Sequence, residues 1–161
     1  MTSRRYLWIA LVLIFLLGSG WSAWWCFGRT PQSEILAAQE KLLTAVEKRD
    51  WERVLGMLTE DYLDEWGHDR QSAVQDGKQA LAGFFTIDLE TQITTLQATK
   101  DLGMVKMMIR MEGNGTGFSQ FVVTKVNQVQ EPWFFHWHKK GRWPWDWKVV
   151  QIHNEQIIWA R

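Results

Sequence analysis

The chain has 161 residues, with 18 basic and 18 acidic side chains and a formal net charge of zero. That length suits one domain, and the neutral balance excludes a global field that gathers nucleic acids or other polyanions. Cys26 is the only cysteine, so neither a disulfide within the chain nor a cysteine-rich zinc site can form.

The N-terminal segment is the first informative stretch. Tyr6 to Gly28 holds no charged residue across 23 positions. As a helix it would be about 34 Å long, enough for a hydrocarbon core of roughly 30 Å. The segment reads as a transmembrane helix over 6–28, with residues 1–5 kept in the cytoplasm by Arg4 and Arg5. Trp21, Trp24 and Trp25 then fall where amphipathic rings meet the membrane–water boundary. A cleaved secretory signal is the competing reading, with Leu7 to Leu17 as its apolar part and Gly18-Ser19-Gly20 as small residues for cleavage. Cys26 follows Ala23-Trp24-Trp25, which lacks the small residues of a lipoprotein processing site. Both readings put the folded domain outside the cytoplasm, tethered in one case and secreted in the other. Without Arg4, Arg5 and Arg29, 15 basic residues remain against 18 acidic ones, which counts further against a nucleic-acid partner.

Residues 29–32 form a short linker, and a domain over 33–161 follows. Thr30 can cap a helix and Pro31 suits its first position. Ile35, Ala38, Leu42 and Ala45-Val46 recur at helical spacing. Asp50 can cap a second helix, in which Trp51, Val54, Leu55 and Leu58 share one face. Tyr62, Leu63 and Trp66 extend the apolar character to Gly67. A third helix begins near Ser72, with Val74, Gly77, Leu81 and Phe84-Phe85 on its buried side.

From Asp88 the period falls to two. Val105, Met107, Ile109 and Met111 alternate with Lys106, Met108, Arg110 and Glu112. Gly113 to Gly117 reads as a turn between strands, and its Asn114-Gly115-Thr116 fits a glycosylation acceptor as well as hairpin chemistry. Phe118 to Val129, Trp133 to Lys139 and Trp147 to His153 read as further strands, the last two joined by a turn at Lys140-Gly141. The fold class is therefore α+β: three helices packed on one face of a curved antiparallel sheet.

This order resembles the cone-shaped fold of the nuclear transport factor 2-like superfamily. The last hairpin carries the likeness, Phe135-His136-Trp137-His138-Lys139 and Trp147-Lys148-Val149-Val150-Gln151-Ile152-His153. Leu42 to Tyr62, with Asp50-Trp51 and Glu60-Asp61-Tyr62, is similar to the family's first two helices. The likeness covers about Ser33 to Asn154. It implies a cone that hosts a small apolar ligand, or a sheet that pairs across a twofold axis as a homodimer. Some members are isomerases, dehydratases or hydrolases with an acid or base inside the cone. On that reading the catalytic candidates here are Asp61, Tyr62, Asp88 and His136, with Tyr62 able to donate to a developing oxyanion. A ligand would meet Tyr62, Trp66, Phe135, His136 and Trp137. Some subunits of envelope secretion machines share the tether-plus-cone layout, so a scaffold role is a third reading.

Each candidate also has a plainer explanation. Large rings dominate the energetics of a small core, Asp61 suits a solvated helix end, and Asp88 a strand start. Trp143 and Trp145 flank Pro144 in a turn, where rings are harder to bury, which makes them candidates for an exposed interaction patch. No metal or cofactor is expected. His136 and His138 share one side of their strand, but a loop centred on residue 143 would put His153 opposite Trp133, roughly 10 Å from His136. Met104, Met107, Met108 and Met111 could suggest copper, but strand alternation divides them between two faces.

Overall fold

A computed structural model describes residues 29–157. The apolar segment expected to span a membrane, 6–28, lies outside the described residues, and among the described residues no helix is long and apolar enough to cross a membrane.

Among the described residues four helices and four strands follow one another: α1 (Pro31–Glu47), α2 (Trp51–Met57), α3 (Arg70–Ala80), β1 (Phe84–Ala98), β2 (Leu102–Gly115), α4 (Gly117–Asn127), β3 (Trp133–Lys139) and β4 (Trp147–His153). The apolar stripe of α1 buries Ile35, Ala38, Leu42 and Ala45. The turn after α1 needs a left-handed residue, and Arg49 takes that conformation at φ 55°. Its guanidinium donates to the Phe84 carbonyl, which ties the turn to the start of β1. Asp50 caps α2 by accepting from the Arg53 amide at 3.2 Å. Asp69 caps α3 by accepting from Gln71 N and Ser72 N at 3.0 and 2.8 Å.

The sheet is antiparallel throughout, in the order β1-β2-β3-β4. One face packs against the helices and carries Val105, Met107, Phe135, Trp137, Trp147 and Val149. On that face Ile35 of α1 packs directly over Gly103, so a Cβ there would meet its Cδ1 and force the isoleucine to shift. The outer edge of β4 is partly covered, with Thr59 N donating to Val149 O at 2.9 Å and Leu63 N to Val150 O at 3.3 Å.

Two expectations are corrected. Phe84 and Phe85, expected on the buried side of the third helix, instead open β1, where their side chains alternate, so Phe84 is buried and Phe85 is exposed. Residues 118–129 do not form a strand; α4 occupies most of them, and the glycine-rich run joins β2 to that helix. The register explains why. β3 pairs with β2 only as far as Met107, leaving the rest of that β2 edge without a strand. Val122, Val123 and Val126 lie at helical spacing and pack beside Met111. Asn127 Oδ1 accepts from Met111 N at 2.8 Å, and Asn127 Nδ2 donates to Met111 O at 2.9 Å. One side-chain amide therefore takes the place of a ladder partner, and α4 covers an edge that would otherwise invite pairing.

Candidate functional site

Large side chains occupy the space between helices and sheet. Trp137 and Trp147 are each 1% exposed, and Phe135, Met107 and Tyr62 are buried with them. Buried indole N–H groups need acceptors, and α1 supplies both. Gln39 Oε1 accepts from Trp137 Nε1 at 3.0 Å, while Gln39 Nε2 lies 3.5 Å from Met107 Sδ. Glu34 Oε2 accepts from Trp147 Nε1 at 2.8 Å and from Lys139 Nζ at 2.6 Å. Neither Glu34 nor Gln39 was singled out by the sequence pattern. Their signal is positional: Gln39 lies one helical turn after Ile35 on the buried stripe, where a polar residue demands a partner.

Among the described residues no helix packs on the opposite face of the sheet, whose side chains on β3 are half-buried. Phe134, His136 and His138 point there from β3, with Met104 and Lys106 beside them on β2. His153 joins them from β4. Its ring stacks on Phe134 at 4.3 Å and lies 5.2 Å from His136, both at 14°. The expected separation of roughly 10 Å is thus corrected, and the cause is a β-bulge. Trp137 pairs with Val149 and His136 with Gln151, which leaves Val150 as an extra residue. That shifts His153 from opposite Trp133 to opposite Phe134, and so onto the face of His136. Burial, and secondarily the neighbouring His153, lowers the pKa of His136 from its usual value. The Lys106 ammonium sits 4.3 Å over the Phe134 ring.

The candidate catalytic residues are dispersed. Asp61 is fully exposed, and the Thr59 hydroxyl, its own backbone and Lys140 hold its carboxyl below the usual range. Its Oδ1 lies 3.5 Å from Lys140 Nζ. Tyr62 is in the core, where burial and then the Asp64 carboxylate push its phenol above the usual range. Asp88 is exposed opposite Glu112, beside a cavity of about 490 Å³ where α4 meets β1 and β2. His136 is on the sheet face opposite the helices. The five expected ligand contacts divide in the same way. Tyr62, Phe135 and Trp137 are core, His136 is outside, and half-buried Trp66 donates to Ile157 O at 2.8 Å with its ring against Trp133. A further acid–base pair was missed: Asp64 Oδ2 meets His68 Nδ1 at 3.0 Å, and Asp64 Oδ1 accepts from the amides of Trp66 and His68. Those bonds close the loop before α3, around Gly67 at φ 87°. Among the described residues no group of three or more His, Cys, Asp or Glu could hold a metal ion.

No protein-family model matches the chain, and no curated protein matches it in sequence. Solved structures do match in shape. A nuclear transport factor 2-like protein from Cytophaga hutchinsonii superposes with a TM-score of 0.54 at 17% identity, covering 80% of this chain and 100% of that one. Another, from Pseudomonas putida, gives 0.51 at 17% identity, with 76% and 84% covered. The fold is nuclear transport factor 2-like. Bd1075 from Bdellovibrio bacteriovorus shares it, with a TM-score of 0.58 at 15% identity, over 76% of this chain. This chain spans about two fifths of Bd1075, since the match covers 39% of that protein. At these identities the nuclear transport factor 2-like likeness concerns architecture alone.

Proposed function

We propose that this protein is a membrane-tethered, extracytoplasmic assembly domain that pairs with a second copy of itself through the face of its sheet opposite the helices. The observation that carries this reading is the Phe134–His153–His136 stack, an aromatic stripe built on a surface rather than in the core. Met104, Met108 and Lys106 extend it, all half-buried. Aromatic and methionine side chains are the groups enriched at protein interfaces. The interior supports pairing over storage of a small apolar ligand, because Trp137, Trp147 and Met107 already occupy that space. It also weakens the reading as an isomerase, dehydratase or hydrolase, since Asp61, Asp88 and His136 stand in three separate places. The tether rests on the 23 uncharged residues from Tyr6 to Gly28, with Arg4 and Arg5 before them.

Sedimentation equilibrium of the full chain in a density-matched detergent tests the pairing. A dimer of 19.0 kDa protomers is expected, and Phe134→Asp should give monomers. A wild-type monomer at all concentrations removes the reading. Retention of the chain in carbonate-washed membranes tests the tether separately.

A further inference from the structure

The hairpin tip between β3 and β4 is not used by the sheet-face reading, yet it is a constructed surface. Trp143 and Trp145 are 39% and 58% exposed, and their rings stack with centroids 5.3 Å apart and planes 2° from parallel. Asp146 fixes the loop beneath them. Its Oδ2 accepts from Trp143 N at 2.9 Å, and its carbonyl accepts from Lys140 N at 2.9 Å. Pro144 is buried between the two tryptophans. Leu102, the first residue of β2, is 58% exposed, and the turn before it is joined to the tip by the bond from Lys139 N to Asp101 O.

The location of this tip is informative. Glu34, in the first turn of α1, bonds to both Lys139 and Trp147, the residues at the two stems of the tip. The tip therefore lies at the end of the domain where α1 begins. The uncharged sequence stops at Gly28, three residues before Pro31. Three residues reach about 11 Å at most, so the chain can leave this end of the domain only close to where its apolar stretch finishes. Paired tryptophans beside an exposed leucine are the side chains that settle at a lipid headgroup boundary. Rigid stacking keeps the entropy lost on insertion small.

We infer that the tip formed by Trp143 and Trp145, with Leu102, is a lipid-contacting foot that seats the domain on the bilayer surface. This rests on the tethered reading above and adds an orientation to it. The sheet face opposite the helices then stands clear of the membrane, available to a second copy.

The test uses the full chain in native membranes, with p-benzoylphenylalanine in place of Trp145 or, as a control, in place of Phe118. Phe118 is 60% exposed and lies beyond the other end of β2. After illumination, phospholipid adducts are expected at position 145 and not at 118. Adducts to protein alone at 145, or equal lipid labelling at both positions, would overturn the foot. So would absence of a lipid adduct from chains that survive a carbonate wash, and that outcome would leave the tether standing. Chains that wash out of the membrane would remove the tether and the foot together. A second measurement avoids the unnatural side chain: quenching of tryptophan emission by brominated lipid should fall in the Trp143→Phe/Trp145→Phe double variant, and unchanged quenching would count against the foot.

Discussion

Glu34 and Lys139 are 105 positions apart in sequence, and their side chains meet at 2.6 Å with both largely removed from solvent. The carboxylate oxygen that accepts from Lys139 also accepts from the Trp147 indole. One acidic residue in the first turn of α1 thereby joins the last two strands to the helical layer. Removing one partner of such a pair leaves the other charge buried and uncompensated. Glu34→Gln should lower stability by about 3 kcal/mol, read as a reduced urea midpoint. Combining it with Lys139→Met should recover part of the loss, because no orphaned ammonium remains.

Gly103 predicts a different kind of damage. Gly103→Ala places a methyl group against the Cδ1 of Ile35, which is wholly buried. Overpacking of this sort costs about 1–3 kcal/mol. Ile35→Val removes the colliding carbon at a cost of about 1 kcal/mol. The double variant should therefore be less destabilised than the two single effects added together, a result that thermal melts of all three variants can establish.

Asn127 supports the edge of β2 from a helix. Asn127→Ala deletes both bonds to the Met111 backbone and should cost about 1–3 kcal/mol. Hydrogen exchange gives the local reading: the Met111 amide should lose protection more than the amides of β3 do.

His136 makes stability depend on pH. Its folded pKa is lowered from 6.5, chiefly by burial and then by His153. The unfolded chain therefore takes up the proton first as the solution is acidified. The contribution is fully present above pH 6.5 and is lost as pH falls from there toward the lowered folded value. Denaturation midpoints measured across this interval should decline in the wild type. The decline should be shallower in His136→Phe, which keeps a ring in the stack and has nothing to titrate.

Much of this architecture can be read from local pattern. The stripe from Ile35 to Ala45, the Asp50 cap and the alternation in β3 all rest on neighbours within a few residues, and periodicity reports such neighbours directly. The misread element is α4. Val122, Val123, Thr124 and Val126 favour strands by propensity, but the deciding influence is the unpaired edge of β2, which depends on where β3 ends. The site was hidden for a similar reason. Glu34 reads as an ordinary first-turn acid until Lys139 and Trp147 are brought to it. His153 is expected opposite Trp133, and the β-bulge at Val150, which no local pattern marks, brings it opposite Phe134 instead.

Val150 has one more consequence. Because it is supernumerary, odd-numbered residues of β4 face indoors before it and even-numbered ones after it: Trp147 and Val149, then Ile152. Were the strand to pair straight through with Val150 in the ladder, Gln151 and His153 would be turned toward the oil and Ile152 toward water, whereas deleting that single valine would leave every one of them on its present side. The connecting loop can lengthen or shorten without altering this arithmetic. The strand keeps both halves of its apolar side indoors only because one residue stands out of the ladder.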